Sequence, residues 1–382
     1  MPAHRSSSRV QRRGALLLLV WLAWAGLATA APAPSAAVES RVFLIGDAGN
    51  PDPRGEPVLA ALEAGLSEAP DRSLAVFLGD NIYPSGLPAP SEPGRKEAER
   101  RIDAQVDSVL HAGAQGLFIP GNHDWDRHRR SGWARLGFQE QAVLARGAPS
   151  ISFLPSGGCP GPVVRDVGGF LRLVALDSQW WLQDGPKPEG DSSPCEARSE
   201  AQVVELLGRV LAEAGDRKVI VLAHHPLVSG GTHGGHFGLR DHLFPLRAVK
   251  GWLWLPLPVI GSAYPLLRQG GAFSQDVTSS KYQHMLQALE GALAPHPAFA
   301  WAAGHDHGLQ VLDGTNARWL LVSGAGIRGH TREPARLETT RYRSGAAGFM
   351  RIDVDGGGHA RLAVVEVDEH GQSHEAFSTD LE

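Results

Sequence analysis

The sequence predicts an α/β protein, of mixed α+β character, in which two packed mixed β-sheets are flanked by helices in a four-layer αββα sandwich. Three observations predict this fold. Short apolar runs alternate with amphipathic stretches from Arg41 to about residue 225, the last third is rich in strand patterns, and 42% of the 382 residues are hydrophobic. The alternation favours a parallel sheet covered by helices, and the strand-rich remainder favours a second sheet packed against it.

The first thirty residues have the three parts of a secretory signal peptide. A basic start, HRSSSRVQRRG, precedes the apolar run ALLLLVWLAWAGLA, and the small residues ATA stand before Ala31. We expect removal of residues 1–30 on export to the periplasm or the exterior, rather than a retained anchor, because the apolar run is short for a bilayer span. Residues 31–39 are predicted to be a Pro/Ala linker, and residues 40–382 a single domain with an apolar insertion at about 240–280.

Three pairs of a strand and a helix come first in the domain. RVFLIGD precedes PVLAALEAGLSEA, SLAVFLGD precedes RKEAERRIDAQVDSVLHA, and GLFIPGNHD precedes SGWARLGFQEQAVLARG. VVRDVGGFLRLVALDS predicts a hairpin, after which the helix SEAQVVELLGRVLAEAG and the strand KVIVLAHHP resume the alternation. The last third predicts strands with little helix, in FAWAAGHDHGLQVLD, RWLLVSGAG, GFMRIDVDG and ARLAVVEVDE.

The segment GWLWLPLPVIGSAYPLL, residues 251–267, interrupts this pattern. It is apolar enough to suggest a membrane, but Pro256, Pro258 and Pro265 exclude a regular spanning helix. We predict an insertion packed over the domain or near the mouth of the site. Contact of this segment with a membrane surface or a partner is the alternative.

The formal charge narrows the classes of molecule that the protein is expected to bind. Without the four arginines of its first thirty residues, the chain has 32 basic and 41 acidic residues, a formal charge of −9. This acidic balance argues against nucleic acid as the natural partner and leaves a small molecule as the expected one. The sequence leaves the oligomeric state open.

Cys159 and Cys195 lie in one loop-rich region, where we predict a disulfide, with free thiols as the alternative.

Five apolar runs each end in a residue that can ligate a metal ion: Asp47, Asp80, Asn122, His224 and His305. Glycine directly precedes four of them, and the carboxyl ends of strands in helix-covered sheets converge on one crevice. Carboxylate, amide and imidazole donors together suit divalent or trivalent first-row ions. An extended chain places His305 and His307 on the same side, so two neighbouring ions could each take one imidazole, with Asp80 between them.

The order of the motifs resembles that of the calcineurin-like metallophosphoesterases over nearly the whole mature chain. The blocks are GDAG, GDN, GNHD, HHP and GHDH. Most of that superfamily begins with Asp, any residue and His, whereas this chain has Asp47, Ala48 and Gly49. Purple acid phosphatases also lack the histidine and carry a tyrosine three residues after the bridging aspartate, as Tyr83 stands after Asp80. With GDNIY, GNHD and GHDHGLQ followed by SGAG, the sequence is most similar to the small tartrate-resistant acid phosphatase type.

The resemblance implies a role for each of these residues. Iron(III) would be held by Asp47, Tyr83 and His307. A second, divalent ion (Fe, Zn or Mn) would be held by Asn122, His224 and His305, and Asp80 would bridge the two ions. The expected catalytic residues are His123, which would face the substrate, Asp124, which could orient it, and His225, which could touch the substrate or only pack. A structural role is expected for Asp177, and His233 and His236 could reach phosphate or remain solvated.

These features predict an exported hydrolase of phosphomonoesters that uses a metal-bound hydroxide, with an acid-shifted optimum because iron(III) acidifies water more than a divalent ion does. The nearest alternative is a phosphodiesterase or nucleotide pyrophosphohydrolase with the same ions, because the metal ligands determine the phosphoryl chemistry and not the second substituent on phosphorus. The remaining alternative is a non-catalytic envelope protein that binds phosphate or a partner.

Overall fold

The computed structural model describes residues 37–248 and 253–382, and Ala37–Glu382 pack as one compact unit. The predicted signal peptide, residues 1–30, and most of the predicted linker lie outside the described residues. The end of that linker, however, is described and is already part of the fold. The first strand begins at Val38, and Val38 pairs with Asp355 of a later strand, because backbone pairing does not require an apolar run.

Fourteen strands in the described residues form two sheets of seven. Their bounds are β1 Val38–Ile45, β2 Ser73–Phe77, β3 Gln115–Phe118, β4 Ile151–Phe153, β5 Val163–Val167, β6 Leu171–Ala175, β7 Lys218–Leu222, β8 Ala298–Ala303, β9 Leu309–Asp313, β10 Ala317–Ser323, β11 Thr340–Ser344, β12 Ala347–Asp355, β13 Ala360–Val367 and β14 Ser373–Leu381. The strand order is β14-β13-β12-β1-β2-β3-β4 in the first sheet and β11-β9-β10-β8-β7-β6-β5 in the second.

Both sheets are mixed, as predicted. In the first sheet β1 to β4 are parallel neighbours and β12 to β14 are antiparallel, and in the second sheet β6, β7, β8 and β10 are parallel. The predicted hairpin is formed by the antiparallel strands β5 and β6. The carboxyl ends of the parallel strands carry the five metal-ligating candidates.

Helices cover the outer faces of both sheets. Their bounds are α1 Pro57–Ser67, α2 Arg95–His111, α3 Gly132–Gly147, α4 Ser178–Leu182, α5 Glu200–Ala212, α6 Leu239–Leu243, α7 Ala263–Gln269 and α8 Ser280–Leu293, with short 3-10 turns at Pro70–Arg72, Ser156–Gly158, Pro245–Ala248 and Ile260–Ser262. None of the helices in the described ranges has the length and apolar character needed to cross a bilayer. α8 is an addition to the predicted elements, begun by the side chain of Ser279, which accepts from the backbone N–H of Tyr282.

Three hydrophobic layers result from this arrangement. Along β1, Val42 and Leu44 face the layer between the two sheets, whereas Phe43 and Ile45 face the layer under α1 to α3. The third layer lies between the second sheet and the helices α5 and α8. The predicted four-layer sandwich is therefore confirmed. The predicted disulfide between Cys159 and Cys195 is also present, and it joins two loops 36 residues apart in the chain.

Candidate metal centre

The carboxyl ends of five strands from the two sheets meet at one place. β1, β2 and β3 lie side by side in the first sheet, and β7 and β8 lie side by side in the second. Hydrogen bonds join the sheets there: among them, His224 Nδ1 donates to the carbonyl oxygen of Leu78 at 2.8 Å, and the backbone N–H of His305 donates to Asp47 Oδ2 at 2.8 Å. The strand ends thus bring the candidate ligands within direct contact of one another.

The glycines before the ligands are required by this close approach. A Cβ atom at Gly121 would lie 2.4 Å from Asp80 Oδ1, and one at Gly304 would lie 2.6 Å from Asp47 Oδ2. The side chains that they accommodate also need unusual backbone, because Asp47, Asp80 and His305 have positive φ angles of 60°, 56° and 70°. Such conformations are uncommon outside glycine and cluster at functional sites.

One group of donors consists of Asp47, Tyr83 and His307. The phenol of Tyr83 donates to Asp47 Oδ1 at 2.8 Å and lies 3.1 Å from His307 Nε2. Nδ1 of His307 donates to the carbonyl oxygen of His330 at 3.1 Å, which directs Nε2 into the group. Burial lowers the pKa of His307, but the hydrogen bond and the charge of Asp47 outweigh it and raise the pKa to about 8. The carboxylate of Asp47 thus favours a positive charge beside it.

A second group of donors consists of Asn122, His224 and His305. Asn122 Oδ1 lies 3.0 Å from His224 Nε2 and 3.1 Å from His305 Nδ1, and the two ring nitrogens are 3.3 Å apart. The outer nitrogen of each ring donates to a backbone carbonyl, Leu78 for His224 and Gln275 for His305.

The proton of each neutral ring is therefore on its outer nitrogen, and burial, which lowers the pKa of both His224 and His305, favours the neutral form. Three lone pairs then face one another across about 3 Å with no proton between them. Such a donor set repels itself unless a cation binds it, so these residues fit a metal ion.

Asp80 lies between the two groups. Its Oδ1 is 3.5 Å from His224 Nε2 and accepts from the backbone N–H of His123 at 2.7 Å. Ligand atoms of Asp47, Asp80 and His224 all lie within 4.8 Å of one another and are buried. Burial and the neighbouring charge of Asp47 raise the pKa of Asp80 well above its usual range. Bound cations would relieve this repulsion, and the position of Asp80 suits a carboxylate that bridges two of them.

The structure explains why glycine stands at position 49 and tyrosine at position 83. A Cβ atom at Gly49 would lie 2.4 Å from the carbonyl oxygen of Asp80 and 2.6 Å from the nitrogen of Ile82, so no larger side chain fits there without movement of the backbone. The backbone N–H of Tyr83 donates to the carbonyl oxygen of Gly49 at 3.0 Å. This contact brings the tyrosine, which is only 6% exposed, into the first donor group.

His123 borders both the donor groups and the solvent. Its Nδ1 lies 2.7 Å from the carbonyl oxygen of Pro84, to which it donates, and its Nε2 lies 3.7 Å from Asp80 Oδ2. Burial, followed by the charge of Arg127, lowers the pKa of His123 well below its usual value. The orienting group for this ring is thus a backbone carbonyl.

Asp124, which was expected to orient His123, has another role in the structure. Its fully buried carboxylate accepts from the backbone N–H groups of Gly121, Asn81 and Ile82 at 2.8, 3.0 and 3.1 Å. The carboxylate connects the loop after β2 to the loop after β3, because it accepts hydrogen bonds from backbone amides of both loops that the strands leave unpaired. These contacts are structural and support Asp80 and Asn122, and the orientation of His123 by Asp124 stays a prediction.

His225 and Asp177 are likewise enclosed. Nδ1 of His225 lies 2.8 Å from Ser178 Oγ and Nε2 lies 2.8 Å from Gln275 Oε1, and the ring is completely buried beside that of His305. The structure therefore favours packing over substrate contact for His225. Asp177 accepts from Trp125 Nε1 at 2.8 Å and begins α4, which is the structural role expected of it.

The insertion contributes residues that no strand-end pattern indicates. The carbonyl oxygen of Gln275 holds His305, and Asp276 Oδ1 lies 2.9 Å from His233 Nδ1. Asp276 is also paired with Arg268 of α7. Gln275 and Asp276 follow no strand and match no motif, so the sequence offers no signal for them. Of the two loop histidines, His233 is thus held beside His305, at a ring separation of 4.0 Å.

A cleft of about 950 Å³ adjoins the donor groups. His307, His233 and His236, the other loop histidine, line it. Residues of the predicted insertion, including Tyr264 and Arg268, line it as well. Part of the insertion therefore lies beside the donor groups.

Residues 40–254 match the family model described as calcineurin-like phosphoesterase. A search of curated proteins finds no match. Among solved structures, the chain is similar to GAP50, described as the anchor in the inner membrane complex of Plasmodium, at 14% identity and a TM-score of 0.54, with 91% of this chain and 89% of that one covered. It is also similar to the purple acid phosphatase PPD1 from yellow lupin (Lupinus luteus) seeds, at 15% identity and a TM-score of 0.53, with 90% of this chain covered. The chain spans 54% of the lupin protein. At these identities the structural likeness establishes a shared fold alone.

Proposed function

We propose that this chain, which belongs to the calcineurin-like phosphoesterase family, is a phosphomonoesterase of the purple acid phosphatase type with two metal ions. The observation that carries the proposal is the presence of two groups of three donors on either side of one buried carboxylate, Asp80. A single-metal site would leave one of these groups without a cation. A solved purple acid phosphatase shares the fold, which supports the assignment.

The chemistry of the two groups suggests different ions. Asp47 and Tyr83 offer a carboxylate and a phenol oxygen, and these hard oxygen donors, anionic when bound, suit iron(III) together with His307. Asn122, His224 and His305 offer an amide oxygen and two neutral imidazoles, which suit a divalent ion such as iron, zinc or manganese. Burial and the charges of the nearby aspartates raise the pKa of Tyr83 well above its usual value, so only a strongly charged cation would convert it to a phenolate.

The residues around the donors suit the hydrolysis of a phosphate ester. Two bound cations would polarise the phosphoryl oxygens and supply a nucleophile from water near or below neutral pH. Because Nδ1 of His123 donates a hydrogen bond to the carbonyl oxygen of Pro84, Nε2 is the atom from which a proton can pass to the leaving oxygen. That role requires a protonated ring. The lowered pKa of His123 therefore favours activity under acidic conditions.

The proposal includes export of the chain. Its support is the succession of a basic segment, an apolar run and a small-residue cleavage sequence in residues 1–30. N-terminal sequencing of the protein made by its natural host should find a chain that begins near Ala31. A chain that retains Met1 or its neighbours would contradict export by this route.

The experiment that tests the metal assignment is a visible absorption spectrum combined with metal analysis. Phenolate bound to iron(III) gives a charge-transfer colour, so the protein should be coloured and contain iron. Tyr83→Phe should abolish the colour, whereas the matched control Tyr282→Phe, a buried tyrosine that donates to the carbonyl of Pro226, should keep it. A colourless protein that contains only divalent ions would contradict the purple phosphatase type.

A second measurement separates the alternatives that share the metal site. The turnover of nitrophenyl phosphate and that of its bis-ester should be compared with the same metal-loaded protein. We expect preference for the monoester. Preference for the bis-ester would assign the chain to the phosphodiesterases, and the absence of hydrolysis over a broad panel of phosphoesters would support a protein that only binds.

A further inference from the structure

The large apolar side chains that are exposed lie mostly in one region. Eight of the eleven such side chains in the described residues belong to residues 239–273 of the insertion, here called the apolar lobe. The most exposed are Val259 at 87%, and Leu239 and Ile260 at 75% each. Apolar surface concentrated in this way usually marks an interaction site.

Helix α7 in the apolar lobe has the reverse of the usual distribution of side chains. Its charged residue, Arg268, is buried, and so is Pro265, whereas Leu266 and Leu267 are 59% and 57% exposed. The orientation is fixed by contacts, because Arg268 donates to the buried carboxylate of Asp276 at 2.8 Å through Nε. A helix on a solvated surface normally buries its leucines and exposes its arginine. The leucines of α7 are thus held outward by the structure.

The tip of the apolar lobe is also unusual. Val259 has a φ of 69°, a conformation that is a genuine outlier for a β-branched residue. The turn that contains it is braced, because the N–H of Gly261 donates to the carbonyl of Leu257, whose own N–H donates to the carbonyl of Leu243. A Cβ atom at Gly261 would lie 2.2 Å from the carbonyl oxygen of His242. The exposed valine and isoleucine at the tip are therefore presented by a packed scaffold.

The charge of this region differs from that of the whole chain. The chain has a formal charge of −5, whereas residues 239–273 contain four basic residues, Arg240, Arg247, Lys250 and Arg268, and one acidic residue, Asp241. Arg268 is paired with Asp276, and Arg240 is exposed. An exposed apolar surface in a net basic segment complements an anionic lipid surface. A second copy docked through the same segment would bring like charges together. The prolines at 256, 258 and 265 exclude passage through the bilayer.

We propose that the apolar lobe docks on the surface of an anionic lipid bilayer. The side chains at the tip and on the outer face of α7 enter the boundary between headgroups and acyl chains, while the exposed Arg240 remains among the headgroups. Leu239 and Tyr264 of the lobe also line the cleft that adjoins His307, so docking brings the mouth of the cleft to the membrane surface. The proposal does not depend on the proposed hydrolysis, because its test measures binding.

The test is sedimentation of the metal-loaded mature protein with vesicles. Vesicles of equimolar phosphatidylglycerol and phosphatidylcholine are compared with vesicles of phosphatidylcholine alone. We expect stronger binding to the anionic vesicles, with a decrease as salt is added. The variant with Val259→Ser, Ile260→Ser, Leu266→Ser and Leu267→Ser should bind more than about tenfold more weakly, because four apolar contacts with the membrane are lost.

The control carries matched changes outside the apolar lobe. Val164→Ser and Val228→Ser alter side chains that are 39% and 38% exposed, and this variant should bind vesicles like the unchanged protein. The free energy of unfolding from urea denaturation in the absence of lipid reports that each variant is folded. The proposal is overturned if neither kind of vesicle binds, if the lobe variant binds undiminished, or if the lobe variant only abolishes self-association in the absence of lipid, which would assign the surface to a second copy.

Discussion

The metal centre and the apolar lobe each reverse the usual distribution of polar and apolar groups, in opposite directions. At the metal centre, Asp47, Asp80 and His224 are charged or polar and almost fully buried. In the lobe, Val259 and Ile260 are apolar and exposed. Burying ionisable groups costs free energy, as does exposing large apolar ones, unless a ligand or partner compensates. We therefore expect both regions to gain stability from a binding partner, cations at the metal centre and an apolar surface at the lobe.

The largest effect is expected at Asp80, the carboxylate proposed to bridge the two cations. Asp80→Asn keeps the size of the side chain but removes the charge that two cations would share. We expect kcat/KM for nitrophenyl phosphate to fall on the order of a thousandfold, or about 4 kcal/mol, together with loss of bound metal. The control Asp71→Asn changes an exposed aspartate and should leave both quantities unchanged. Full activity with full metal content in the Asp80 variant would show that this residue is not the bridge.

The next effect concerns His123, the proposed proton donor at the edge of the metal centre. A general acid acts in its protonated form, so activity should be present below the pKa of His123 and be lost as the pH rises through it. Because burial lowers this pKa below the usual 6.5, we expect the alkaline limb of the kcat profile to lie below that value. His123→Asn should lower kcat about a hundredfold and remove this limb.

An exposed histidine serves as the control for this second prediction. His111→Asn should change neither kcat nor the pH profile, because His111 lies on the surface at the end of α2. An unchanged alkaline limb in the His123 variant would assign the titration to another group.

A third, smaller effect is expected where the insertion supports the metal centre. The side chain of Gln275 lies 2.8 Å from His225 Nε2 and donates to Gln179 Oε1 at 3.0 Å, and the ring of His225 packs against those of His224 and His305. Gln275→Ala should weaken the affinity for the divalent ion about tenfold, because the His225 ring that supports both candidate ligands loses this contact. Competition with a chelator measures this affinity.

The matched variant for this third prediction is Gln269→Ala, which removes an exposed glutamine of the same insertion. It should leave the affinity for the ion unchanged. Equal affinities in the two variants would show that the insertion only borders the metal centre.

The sequence predicts the proximity of five candidate ligands, because each of them comes soon after the end of a strand. Asp47, Asn122 and His305 follow apolar runs, and the carboxyl ends of parallel strands have to meet at one edge of a sheet. Both sheets and most helices could be predicted for the same reason, since their periodicity reflects which face is buried. Tyr83 could be predicted only from the resemblance, because it does not directly follow a strand and is singled out by the missing histidine at Gly49.

The remaining features depend on contacts between distant parts of the chain. The carbonyl of Pro84 orients His123, and backbone carbonyls carry no signal in a sequence. Asp124 accepts from three amides of two loops, which is visible only once the loops are placed. In α7, the ion pair between Arg268 and Asp276 determines which face is buried, so hydrophobic periodicity predicts the wrong face there.

The smallest effect is expected in the apolar lobe, where the cost of shortening an exposed leucine can be compared with that of shortening a buried one near the metal centre. Leu266→Ala shortens a leucine that is 59% exposed, so the free energy of unfolding in the absence of lipid should change by no more than about 0.5 kcal/mol. The same change at Leu222, which is fully buried at the end of β7 next to the metal centre, should cost about 2–5 kcal/mol. Urea denaturation measures both values. A large loss of stability for Leu266→Ala would mean that this leucine is held by the protein itself, and the lobe would then need no surface beyond the chain.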